Sequence, residues 1–146
     1  TMANFEIRGA MGNKQPSVKS FVVASGTDAS IKEGDIVVLS AGAAVLVPNG
    51  GASATDKAKF GLALRDSSET AGADGSVEVA FATEGLVVRG KATTAGNLSE
   101  ASVLTACTID LVGAVQTIDE DDATGDITIM KIHADGDVDA VLPFKL

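Results

Sequence analysis

The 146-residue chain reads as one all-β domain, a small barrel or sandwich. Three observations predict it. Short runs of Val, Ile and Leu recur along the chain, separated by Gly- and Asp-rich turns at the ~8–12-residue spacing of barrels and sandwiches. Ser76–Thr83 alternates strictly, with Val77, Val79 and Phe81 on one face and Ser76, Glu78 and Ala80 on the other. Only one helix-start signal is present, Asn97-x-x-Glu100, ahead of Ala101, Val103 and Leu104, and it predicts at most one short helix of two turns.

Residues 1–19 stand apart from this pattern. Phe5, Ile7 and Val18 are scattered among Arg8, Lys14, Gln15 and Lys19, and Gly9, Gly12 and Pro16 interrupt any regular element. The expectation is an extended N-terminal arm over 1–19, followed by a β-barrel domain over 20–146. Phe21-Val22-Val23-Ala24 is the first strand of that domain, then Ile36-Val37-Val38-Leu39 and Ala43-Ala44-Val45-Leu46-Val47. Pro48-Asn49-Gly50-Gly51 is a turn or loop signal. Phe60-Gly61-Leu62-Ala63-Leu64 is the next strand. Leu86-Val87-Val88-Arg89 is expected to pair with Ser76–Thr83 across a turn at Glu84-Gly85. Later strands are expected at 109–118, 126–133 and 138–144. Gly61–Leu64, an acidic loop and Gly75 are echoed loosely by Gly113–Val115, an acidic loop and Gly125, as in a barrel built from two related halves.

Composition bears on partners. With 20 acidic and 11 basic residues the net charge is −9, a field that repels phosphates and disfavours nucleic acid and anionic membranes. The chain has no Trp, no Tyr and five Phe, and much of its apolar content is Ala. Such a core is thin, because Ala and Gly bury little area each. Either a Val-rich β core suffices alone, or association with further subunits supplements it. No 18-residue apolar stretch is present. Thr1–Glu6 does not read as a signal peptide, which leads to the expectation of a protein made in a cytoplasm.

The supply of catalytic groups is small. Cys107, the single cysteine, lies in the apolar run Leu104–Cys107 and reads as a buried core residue. The single histidine, His133, is distant in sequence. Nucleotide-binding glycine patterns, a nucleophile elbow and Cys/His metal spacings are all missing from the sequence. Two acidic runs could hold a hard cation, Asp119–Asp122 and the alternating Asp135, Asp137 and Asp139. In the second, Ala140 stands where a calcium loop needs Gly. Both read better as solvated turns. The expectation is a non-enzyme with no cofactor and no metal site.

Three segments carry a resemblance. Gly34-Asp35-Ile36-Val37-Val38-Leu39, Phe60-Gly61-Leu62-Ala63-Leu64 and Gly75-x-Val77-x-Val79 with Gly85-Leu86-Val87 occur in this order. Together they resemble the small phage head decoration (cement) proteins with a β-tulip or SH3-like barrel, over about residues 20–142. The resemblance implies a homotrimer on the outer surface of a virion, made in the host bacterial cytoplasm. It implies stabilisation of the head by bridging subunits of the major capsid protein. It also implies an arm that reaches neighbouring subunits or trimers, with Phe5, Ile7, Pro16, Val18 and Phe21 as its anchors; Phe21 has the barrel core as its other reading. A tail or fibre component, or a calcium- or carbohydrate-binding β module, is the alternative.

Overall fold

The computed structural model describes residues 4–26, 31–40, 42–47, 59–122 and 125–145. They form an all-β fold of eleven strands: β1 (Phe5–Ala10), β2 (Ser17–Val23), β3 (Ile36–Ser40), β4 (Ala43–Leu46), β5 (Phe60–Ala63), β6 (Gly75–Phe81), β7 (Leu86–Lys91), β8 (Ala106–Val112), β9 (Val115–Asp119), β10 (Ile127–Ile132) and β11 (Asp137–Leu142). Strands β2-β4-β3-β5-β6 close into a barrel, and β1-β7-β11-β10-β8-β9 form a six-stranded sheet. The sheet curls: Ala92, just past β7, bridges to Ile118 on β9. The turn signal at Pro48–Gly51 lies outside the described residues.

Uninterrupted apolar runs explain how the two layers meet. A strand buried on both faces needs no polar alternation. In β3, Val37 and Leu39 point into the barrel, while Ile36 and Val38 point outward into a second core against the six-stranded sheet. In β5, Phe60 and Leu62 face the sheet and Ala63 faces the barrel interior. Phe21, Val23, Val77 and Val79 fill the barrel, and Phe81 packs between Phe21 and Phe144 with ring centroids 6.1 and 4.5 Å away. The alternation read for Ser76–Thr83 holds, with Val77, Val79 and Phe81 inward.

The expected arm is not an arm where it is described. Residues 5–10 are β1, paired antiparallel to β7 from Phe5↔Gly90 to Ala10↔Leu86, with a bulge between Ile7 and Gly9. Residues 17–19 belong to β2, which pairs with β6 from Ser17↔Phe81 to Val23↔Gly75. A boundary between residues 19 and 20 therefore cuts a strand. The physical reason is Phe5. Its ring is 2 % exposed and lies over Gly90, where a Cβ would come within 2.1 Å of the ring. Only a residue without a side chain lets the ring sit flat on β7. The scattered apolar residues and the bulge hid this strand from the pattern.

Three further expectations change. Leu86–Arg89 does not pair with Ser76–Thr83: β6 is flanked by β2 and β5, β7 by β1 and β11, so the turn between them carries the chain from barrel to sheet. The stretch 109–118 is two strands of a hairpin, paired from Thr108↔Asp119 to Val112↔Val115. Gly113, with φ at +62°, supplies the left-handed backbone of its two-residue turn. The half-to-half echo fails too, because β5 pairs with β6 but β8 separates β9 from β10. The helix signal yields two single 3-10 turns, Ala95–Asn97 and Glu100–Ser102, the second preceded by Ser99, whose N–H donates to Ser102 Oγ.

A polar seam ties the layers. Gln116 of β9 is 1 % exposed; its Oε1 accepts from the Ile36 N–H at 2.7 Å and its Nε2 donates to the Ile36 carbonyl at 2.9 Å. A side-chain amide thus satisfies a backbone donor and acceptor that burial would otherwise orphan. Beside it, Asn4 Nδ2 donates to Asp35 Oδ1 at 2.8 Å and to the Ala114 carbonyl at 3.0 Å.

Candidate functional site

The five residues expected to anchor an arm fall in different environments. Phe5 lies in the core between barrel and sheet, and Ile7 is half-buried against it. Phe21 is 8 % exposed in the barrel interior. Pro16 is half-buried between β1 and β2. Val18 alone remains open, at 58 %. The structure does not gather the five into one surface.

Val18 instead shares an outward barrel face with other residues. On β2, Phe21 and Val23 turn inward, so Val18, Ser20 and Val22 turn outward. On β4, Ala44 and Leu46 turn inward, so Ala43 and Val45 turn outward. Val22 pairs with Ala43 in the parallel bridge that closes the barrel. The five side chains form one wall carrying no charge. Val22 and Val45 are 50 % and 52 % exposed. The wall continues a buried row: Val45 pairs with Val38, and Val38 pairs with Phe60, both buried beneath the six-stranded sheet. The acid nearest in register is Glu78, opposite Ser20, and it is held by Arg65 at 3.4 Å. Sequence reading missed Val22 and Val45 because both sit in continuous apolar runs. Nothing in such a run says which face a closed barrel leaves open.

A second exposed apolar feature is the β8–β9 tip, where Val112 is 76 % and Val115 55 % exposed. Leu111, just behind it, packs on the barrel interior cluster.

The acidic runs are engaged locally. Glu120 Oε1 accepts from the Thr94 N–H at 2.5 Å, Asp121 from Asn97 Nδ2 at 2.9 Å and Asp122 from Thr108 Oγ1 at 3.1 Å. Burial pushes the Asp119 and Glu120 carboxyls above their ordinary range, and the neighbouring acids add to this. Along Asp135–Asp139, Asp135 Oδ1 accepts the Asp137 N–H at 3.0 Å, forming the β10–β11 turn. Arg89 reaches Asp135 at 2.9 Å and Asp137 at 3.2 Å, and Lys91 reaches Asp137 at 3.4 Å. His133 Nε2 lies 2.8 Å from Asp139 Oδ1. The backbone N–H of Asp137 and the Arg89 guanidinium hold the Asp135 carboxyl below its ordinary range. Asp137 on β11 thus meets two cations, Arg89 and Lys91, on the adjacent strand β7. Among the described residues no three His, Cys, Asp or Glu side chains gather as a metal-holding group.

Cys107 is buried, as its sequence context predicted, and its Sγ–H donates to the Ile127 carbonyl at 3.0 Å. Burial, with Asp119, Glu120 and Asp122 nearby, pushes its thiol up to about 12. A thiol so placed stays protonated at neutral pH and is a poor nucleophile. Asp35 of the Gly34-Asp35 motif is 3 % exposed, and burial raises its carboxyl although the Lys32 N–H and Asn4 both donate to it.

No protein-family model matches the chain, and no curated protein or solved structure matches it either.

Proposed function

We propose that this chain is a non-catalytic structural protein of a virion, a capsid decoration protein that binds the outer surface of a phage head as a homotrimer and bridges major capsid subunits. The observation that carries the reading is the uncharged wall of Val18, Ser20, Val22, Ala43 and Val45. In a chain of net charge −9, copies repel one another, and a joining surface is favoured where carboxylates are few and paired, as Glu78 beside the wall is paired with Arg65. The wall meets that requirement and extends a row already dry beneath the sheet. Apolar area removed from water contributes ~25 cal/mol per Å², and threefold symmetry multiplies weak contacts through effective concentration.

The motifs behind the resemblance support the same reading. Gly34-Asp35 starts β3 at the polar seam, and Phe60–Leu64 supplies the strand beside it. The contact surface differs from the one first expected. It is the barrel wall, since most of the expected arm is spent on the chain's own sheet and barrel.

The test pairs solution mass with co-sedimentation on undecorated phage heads. The expected result is a trimer that pellets with heads, and a Val22→Asp/Val45→Asp variant that keeps its circular dichroism but loses trimer mass and pelleting. A wild-type chain that stays monomeric and remains in the supernatant ends the proposal.

A further inference from the structure

The edge of the six-stranded sheet offers a site that the wall does not explain. The two outermost strands are β1 and β9. The far side of β9 is covered at Ile118: the Thr93 N–H donates to its carbonyl at 2.7 Å, and Ala92 bridges to it. Among the described residues, β1 is covered only at its start, where the Phe5 N–H donates away from β7 to the Gly34 carbonyl at 3.0 Å. In an antiparallel pair, backbone groups face the partner and away from it on alternate residues. Phe5 faces away, so Ile7 does too, and its N–H and C=O point outward together.

They open onto a groove of about 320 Å³ between β1 and β5. Ile7, Leu62 and Leu64 line it with Gly34. Glu6 and Glu33 stand at its rim, both exposed and neither ion-paired among the described residues. Among the described residues the site therefore combines one unpaired backbone donor and acceptor, an apolar slot and two exposed carboxylates outside any ion pair, Glu6 standing opposite Arg89 in register. The bulge after Ile7 breaks the edge there, which limits pairing to a short stretch.

We infer that this edge binds an extended peptide segment of a partner protein by strand addition. One residue of the segment exchanges both backbone hydrogen bonds with Ile7, its neighbour's apolar side chain fills the slot, and flanking Lys or Arg residues meet Glu6 and Glu33. The inference does not depend on the partner being a capsid.

Calorimetric titration with an acetylated, amidated Lys-Val-Ile-Val-Lys peptide tests it. The Lys-ended peptide is expected to bind. A peptide with Glu at both ends should bind about tenfold more weakly, the effect of two rim charges. A peptide N-methylated at its three central amides should not bind, since it cannot pair with Ile7. A Glu6→Lys/Glu33→Lys protein, changed only at exposed positions, should reverse the preference between the two charged peptides. No heat with the Lys-ended peptide at millimolar concentration overturns the inference. So does equal binding of the N-methylated peptide, or an unchanged preference in the charge-reversed protein. Wall substitutions at Val22 and Val45 should leave all of these results intact, so this site and the trimer proposal fail separately.

Discussion

Cys107 and Gln116 are single residues whose roles depend on what lies across the fold. Gln116 is a polar residue in an alternating strand that sequence reading would place in water; it is buried because Ile36 offers it a donor and an acceptor at once. Cys107 was legible, since it ends the largely apolar run Leu104-Thr105-Ala106-Cys107 and behaves there as a small core residue. Its burial has a pH consequence. The native thiol is pushed up to about 12, above the 9.0 of a free thiol. Between these values the unfolded chain releases the proton and the native chain keeps it, so this contribution to stability is intact below pH 9 and falls as pH rises towards 12. Urea melts at pH 7 and pH 10 should therefore show a larger loss for the wild type than for Cys107→Ala. Equal losses would show that the thiol titrates alike in both states.

At the scale of elements, β1 is the decisive case. An arm held by outside partners and a strand held by its own sheet make opposite predictions for Phe5. Its ring is buried over Gly90 in the core shared by barrel and sheet, so Phe5→Ala should cost ~3–5 kcal/mol, the usual range for a large core aromatic. Denaturant titration followed by circular dichroism would measure it. A variant as stable as the wild type would return residues 5–10 to the status of an arm. The acidic turns teach a related lesson. Asp135 and Asp137 have the alternation of a cation loop, yet Arg89 on a strand 46–48 residues away neutralises both. The sequence carries the carboxylates, and strand order decides what they meet.

For the whole molecule, the question is whether barrel and sheet act as one. The cluster that holds Phe5, Leu86, Cys107 and Ile129 also holds Ile36, Val38, Phe60 and Leu62 from the barrel. A core shared in this way couples the layers into a single cooperative transition. Val79→Ala, a change inside the barrel, should then lower the urea concentration at which Cys107 in the sheet becomes reactive to a thiol reagent. It should do so by the same amount as it lowers the circular dichroism midpoint. Separate midpoints would mean two independently folding layers.

The all-β class, the strands β3 to β6 and the burial of Cys107 followed from the sequence alone, because turn residues, β-branched runs and period-two alternation act over a few neighbours. Three features depended on the fold: the pairing of β7 with β1 and β11, the split of 109–118 into a hairpin, and the exposure of Val22 and Val45. Each rests on contacts between residues far apart in the chain. A run such as Phe21-Val22-Val23 is equally apolar on both faces, and only the position of its neighbours in space determines which face meets water.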